Sequence, residues 1–153
     1  MQRGFIMIEM LAVMTVIFIL SAVTVPMITK TLARQDIDGA ARNLAADIRW
    51  IQQISINGGV GAGATVYVLM FNNADHENYY ITANGQTIKA VQLPGSVRLG
   101  NAPSQIMFNP NTGFPSTGAQ SIKLQSLVLN NCKYVILAPA IGRVRISVTD
   151  AVM

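Results

Sequence analysis

The chain begins Met1-Gln2-Arg3-Gly4-Phe5-Ile6-Met7-Ile8-Glu9-Met10-Leu11, and residues 10–29 that follow Glu9 carry no charge until Lys30. A helix that crosses a bilayer needs about 20 predominantly apolar residues, so this uncharged run has the length of a membrane span. Three readings compete for it. One is a cleaved secretory signal, with Arg3 as its basic start, Ile6–Leu20 as its apolar region and Ser21–Ala22 as small residues near a cut. Another is a permanent signal anchor. The third is a short leader removed after Gly4, which leaves the whole apolar segment on the mature chain.

Glu9 decides among them. A carboxylate within an apolar segment costs about 2.5–3.5 kcal/mol at a helix centre and less near an end, and neither a signal peptide nor a plain anchor has a use for it. If the chain is cut after Gly4, Phe5 becomes the amino terminus and its ammonium lies four residues from Glu9, a neighbouring position on a helix. The first turns also favour an anion through the helix dipole. The carboxylate can pair with its own amine or with the amine of an adjacent subunit, and the second option is a packing instruction, because a buried charge left alone is strongly unfavourable.

Gly4-Phe5, then Glu9, then an apolar helix containing Pro26, resembles the class III signal of type IV prepilins and type II secretion pseudopilins. Ile6-Met7-Ile8 stands where the family wording is closer to Thr-Leu-Ile, which loses a hydroxyl and keeps the spacing of Gly, Phe and Glu. The resemblance implies that a prepilin peptidase cuts between Gly4 and Phe5 and methylates the Phe5 amine. It implies a bacterial inner-membrane protein with a single pass and an extracytoplasmic carboxy-terminal domain, later part of a periplasmic or extracellular filament. Its partners would be other pilin or pseudopilin subunits, met through the amino-terminal helix, and membrane lipid. Pro26 falls where many pilins carry a proline. It reads either as a boundary between membrane segment and soluble domain or as a hinge, since proline removes a helix hydrogen bond and membrane helices tolerate this as a kink or local melt.

Past Lys30, Ile37, Ala41, Leu44, Ile48 and Ile51 recur at spacings of three and four, one apolar stripe of an amphipathic helix. Asn57-Gly58-Gly59 is a stop signal. Phe5 to Ile56 therefore reads as one helix of roughly 75–80 Å at about 1.5 Å per residue, with Gly39 as a local weakness. The expected division is a leader at 1–4, a membrane and assembly helix at 5–29, an amphipathic helix at 30–57, and an antiparallel β-sheet domain at 58–153.

From residue 59 the signals are β. Thr65–Phe71 is rich in β-branched and aromatic residues, and Tyr79–Thr82 and Thr87–Gln92 flank Asn84-Gly85, a two-residue hairpin signal. Val97–Leu99, Gln105–Phe108, Ser121–Leu129, Tyr134–Ala138 and Arg143–Thr149 are further strands, with a loop at Asn109–Gly118 and a turn at Asn130-Asn131. Strands after one helix, joined by short turns, imply an α+β fold with the helix stripe packed on an antiparallel sheet. Ile106-Met107-Phe108, Gly113, Ser121-Ile122-Lys123-Leu124 and Gly142-Arg143-Val144-Arg145, in that order, resemble the minor pseudopilin H and FimT group of the pilin superfamily. The stretch 46–56 with Arg49, Gln52 and Gln53 is loosely similar to that group too.

Composition is consistent with a chain only partly in water: 51% hydrophobic and 12% charged, against about a quarter charged for a soluble domain. The net charge is +4. From Lys89 onward the cations are Lys89, Arg98, Lys123, Lys133, Arg143 and Arg145 against Asp150 alone, so the last third offers either a solvated basic face or an anion-binding one. Arg143 and Arg145 share a strand face, and Lys123 and Lys133 would join them if their strands are neighbours. The FimT resemblance implies that this region can grip DNA through phosphates, without base readout; the same motif also reads as one that closes the sheet or docks a neighbouring subunit. No stacking aromatic alternates with the arginines, which argues against a single-strand groove.

Nothing in the sequence points to catalysis, a cofactor or a metal. There is one histidine, His76, in a polar loop, and one cysteine, Cys132, expected as a small buried residue of a strand and unable to form an intrachain disulfide. The acids Asp75, Glu77 and Asp150 are scattered, and the serines and threonines lack a plausible base. The run Gly58-Gly59-Val60-Gly61-Ala62-Gly63 lacks the lysine and following helix of a phosphate loop and reads as a helix-to-strand linker.

Overall fold

The computed structural model describes residues 3–58, 63–138 and 142–149; the glycine-rich linker read at 58–63 thus lies largely outside the described residues, as do Met1, Gln2 and Asp150. The chain divides into two compact units, Met1–Leu32 and Ala33–Met153. A single α-helix, α1 (Arg3–Ile56), supplies the described part of the first unit and the opening segment of the second. Eight strands follow: β1 (Tyr67–Phe71), β2 (Asn78–Ala83), β3 (Gln86–Gln92), β4 (Val97–Leu99), β5 (Gln105–Phe108), β6 (Gln120–Ser126), β7 (Cys132–Leu137) and β8 (Val144–Ser147).

In the first unit α1 is an apolar rod. Met7–Ile56 is the membrane-span candidate among the described residues, by length and composition, and its most apolar window has a mean hydropathy of 2.5 with none of it buried. The hydroxyls inside the run bond back to the helix itself. Ser21 Oγ donates to the Ile17 carbonyl and Thr24 Oγ1 to that of Leu20, each at 2.8 Å, which satisfies polar groups that lipid cannot. The helix continues through Pro26. The division between units falls at Leu32, six residues after Pro26.

In the second unit the stripe read from the sequence is the core. Ile37, Ala41, Leu44, Ile48 and Ile51 are each at most 1% exposed. They form one cluster with Leu69, Tyr79 and Ile81 from β1 and β2, Ile106 and Phe108 from β5, and Ile122, Leu124, Val135 and Leu137 from β6 and β7. At about 25 cal/mol per Å² of apolar surface removed from water, this burial is the main source of the unit's stability, and every residue of the cluster lies between Ile37 and Val144. Helix α1 ends where Gly58 N donates to the Ser55 carbonyl.

The single antiparallel sheet expected from the sequence is two. One has the order β3-β2-β1-β5 and the other β4-β6-β7-β8, every pair antiparallel. The chain leaves the first sheet after β3, contributes β4 to the second, and returns with β5 to pair with β1. Both sheets place core residues in the cluster around α1. Asn84 and Gly85 both have positive φ, 49° and 84°, the backbone that a two-residue hairpin with right-handed strand twist requires.

A polar group is built into the helix–sheet seam. Asp47 of α1 is 8% exposed. It accepts a 2.9 Å hydrogen bond from Tyr79 Oη of β2 and pairs with Lys89 Nζ of β3 at 2.5 Å. Lys89 is 44% exposed, so solvent screens its side of the pair. Burial, and then the Asp47 charge, push the Tyr79 phenol well above its ordinary value of 10.0. An unfolded tyrosine ionises near pH 10, so the stability linked to this group is complete below that pH and is lost as pH rises further. Thermal unfolding followed from pH 8 to 11 should show this alkaline loss. Tyr79→Phe should flatten it while costing about 1–3 kcal/mol at neutral pH, because Asp47 keeps one hydrogen bond fewer.

Candidate functional site

Two surfaces carry the residues singled out from the sequence, one in each unit. In the first unit, Gly4 and Phe5 lie within the first turns of α1. Glu9 is exposed on that helix, and no cation pairs with it among the described residues. Around it Met7, Ile8, Met10, Leu11 and Val13 are each more than half exposed, so Glu9 is the sole acidic side chain on an otherwise uncharged surface that extends to Lys30.

The second surface is the outer face of the β4-β6-β7-β8 sheet. Strand parity sorts its residues. Ile122 and Leu124 of β6, Val135 and Leu137 of β7 and Val144 of β8 point to the core, so Lys123, Tyr134, Arg145 and Ser147 take the opposite face. Lys123 pairs in register with Tyr134, Tyr134 with Ser147, and Ile136 with Arg145. Lys123 of β6 and Arg145 of β8 therefore share one face on either side of β7, Arg143 just before β8 has the parity of Arg145, and both arginines are exposed. The Lys123 stem lies across Gly100, where an added Cβ would sit 3.0 Å from its Cδ. Arg98 of β4 is on the same face and is held by Glu77 at 2.7 Å.

Lys133 does not join this group. It alternates with Val135 and Leu137, which places it on the core side of β7, and at the margin of that side it pairs with Asp38 of α1 at 2.5 Å. Its charge is spent on the helix. The alternation was visible in the sequence, since a lysine two and four residues from buried aliphatics shares their parity. Tyr134 is the residue that sequence reading missed. It supplies an aromatic ring, half-buried, between Lys123 and Ser147 in the middle of the basic face. Cys132 is half-buried rather than fully buried, because it opens β7 next to the loop, and its Sγ lies 3.8 Å from Tyr134 Oη.

Strand β8, which carries Arg145 and follows directly on Arg143, is fastened to α1 by backbone acceptors. Gln52 Nε2 donates to the Gly142 carbonyl at 2.6 Å and Arg49 Nη2 to that of Val144 at 3.2 Å. Gly142 has φ 61°, and a Cβ there would lie 2.7 Å from Gln52 Nε2. Gly113, φ 65°, meets the same turn of helix, and its Cβ would lie 2.6 Å from the Gln52 carbonyl oxygen. These glycines belong to the motifs that carried the second resemblance, and here they allow backbone to touch helix.

The remaining candidates are local. His76 has φ 58° and its carbonyl accepts from Leu99 N. Asp75 is held below the ordinary carboxylate range by the Glu77 backbone N–H and the Asn78 side chain, which order the loop between β1 and β2. Among the described residues no three His, Cys, Asp or Glu side chains gather as a metal site would need. Comparison with models of known families, with curated proteins and with solved structures finds no match for this chain.

Proposed function

We propose that the chain is a structural subunit of a type IV pilin-like filament, a minor pilin or pseudopilin, stored in the inner membrane and assembled through its amino-terminal helix. The observation that carries this reading is the lone carboxylate of Glu9 on an apolar helix surface, four residues from a Phe5 that cleavage would turn into an ammonium. An apolar rod of this length serves first as a lipid anchor and then as a stave among identical or related helices. Exchanging lipid for helix gains van der Waals packing and gives Glu9 its counter-charge. No chemistry is required of the globular unit, which would present its two sheets at the filament surface. A major pilin would use the same helix in the same way.

Isolation of filaments from cells that express the tagged chain tests the reading. The chain should co-fractionate with other pilin-like subunits after shearing or detergent extraction. Recovery only as a dispersed membrane protein, with no such subunit alongside, would contradict it.

A second reading, DNA capture by this subunit, is favoured by the clustering of Lys123, Arg143 and Arg145 on one sheet face with Tyr134 among them. Phosphate contacts by these groups would be salt-dependent and indifferent to base sequence. Duplex DNA should shift with the wild-type chain at low salt, and Arg143→Ala with Arg145→Ala should weaken retention about tenfold or more. Equal weak retention by both proteins at moderate salt would dismiss DNA as the ligand.

A further inference from the structure

The two sheets have four edges, and three are obstructed. Along β5, Phe108 bridges Pro115 and Ser116 N donates to the Met107 carbonyl. Strand β4 has three residues, and Leu99 N is taken by the His76 carbonyl. Strand β8 has four, and the Val144 carbonyl is taken by Arg49. The fourth edge is β3, seven residues long and exposed at all but Val91. Leu93 N donates to the Glu77 carbonyl, which fixes the alternation of the β2–β3 ladder. Val91 and Lys89 bond inward to Tyr79 and Ile81, whereas the N–H and C=O groups of Ala90 and Gln92 point away from the sheet. Ile88 is the extra residue of a bulge, so the usable edge is Lys89–Gln92.

Among the described residues no further strand pairs with this edge, and it runs beside a cleft. Asn43, Ala46 and Asp47 of α1, Tyr79 of β2 and Lys89 and Val91 of β3 line it. Trp50 lies three residues beyond Asp47, at a neighbouring position on the helix, and is 41% exposed. A row of unpaired backbone groups flanked by a side-chain cleft is the arrangement that accepts an added strand: main-chain bonds hold it and alternate side chains enter the cleft.

We propose that the seam between α1 and β3 docks an extended, uncharged segment of another protein as a further strand on the β3 edge. Its backbone would pair with Ala90 and Gln92, one polar uncharged side chain would enter the cleft over Asn43 and Asp47, and an apolar one would rest on Trp50. Neutrality follows from the cleft's charges, because Asp47 and Lys89 already satisfy each other and a further ion would find no counterpart. The small area favours a peptide over a second copy. Stable dimers bury about 1,200–2,000 Å², far more than four residues of edge can provide, and two copies of a +4 chain repel. The site is within the globular unit and does not depend on the filament reading.

Random nonamer peptides displayed on phage and selected against the full-length chain in detergent test this. The expected yield is a family of uncharged sequences that alternate polar and β-branched or aromatic residues. Ala90→Pro removes an outward N–H and leaves the β2 ladder intact, a substitution that edge strands tolerate. It should weaken those peptides at least tenfold with an unchanged melting temperature. Asn43→Trp, which fills the cleft from an exposed helix position, should do the same. Three outcomes would overturn the proposal: no enriched peptide, acidic peptides whose binding is lost in Arg143→Ala with Arg145→Ala, or disulfide-linked homodimers of Ala90→Cys made in a Cys132→Ser background.

Discussion

If the chain is a pilin-like subunit as proposed, Glu9→Leu is expected to leave it in the membrane and to remove it from filaments. The substitution makes the helix more apolar, by the roughly 2.5–3.5 kcal/mol that an acid costs at a span centre and less at this position near the end, so insertion should be unimpaired. Assembly should suffer in the opposite direction. In a filament the carboxylate would neutralise an amine held among apolar helices, and removing one member of such a pair leaves an uncompensated charge at a cost of about 3–5 kcal/mol. Each 1.4 kcal/mol is about tenfold, so incorporation should fall by a hundredfold or more. The measurement is the ratio of filament to membrane signal for wild type and variant in the same cells. Glu9→Asp, which keeps the charge on a shorter stem, should retain part of the incorporation. Equal incorporation of Glu9→Leu would leave the carboxylate without a role.

The largest effect on stability is expected from Gly113→Ala. Its φ of 65° is left-handed, which costs a residue with a Cβ about 1–2 kcal/mol. The new Cβ would also meet a backbone oxygen, that of Gln52, at 2.6 Å. The backbone of α1 at that turn is held in place by the buried Ile48, Ile51 and Ser55 on its inner face, so overpacking adds about 1–3 kcal/mol. The sum, about 2–5 kcal/mol, corresponds to a drop in melting temperature of roughly 10 °C or more for a unit of this size. Gly142→Ala should cost less. Its Cβ meets the flexible end of Gln52, which can swing away at the loss of one hydrogen bond. Gly118→Ala, with φ 78° and nothing within 4 Å, should show the conformational term alone. The order Gly113, Gly142, Gly118 separates steric contact from backbone strain, and equal losses at all three would refute the contact geometry at Gln52.

The parts of this fold that were legible in the sequence are those encoded by local periodicity. The stripe from Ile37 to Ile51 shows its core face because a helix must repeat an apolar residue every three or four positions to bury one side. Asn84-Gly85 shows the hairpin because few residues accept positive φ twice in succession. The partition of strands into two sheets was not legible, since β5 pairs with β1 across more than thirty residues and no local pattern records that choice. Asp47 lies beside the apolar stripe and gave no sign that Tyr79 and Lys89 would converge on it from separate strands. Lys133 stays off the basic face although β7 neighbours both β6 and β8, because it shares the parity of Val135 and Leu137.

Whether the apolar helix reaches its mature form through leader removal is the most direct question to ask of the filament reading. Intact-mass and amino-terminal peptide mass spectrometry on the chain purified from cells that carry a prepilin peptidase would answer it. The expected result is a chain that starts at Phe5 with one added methyl group on its amine. A chain that still begins at Met1, or one cut near Ser21–Ala22 so that Glu9 is discarded, would contradict it.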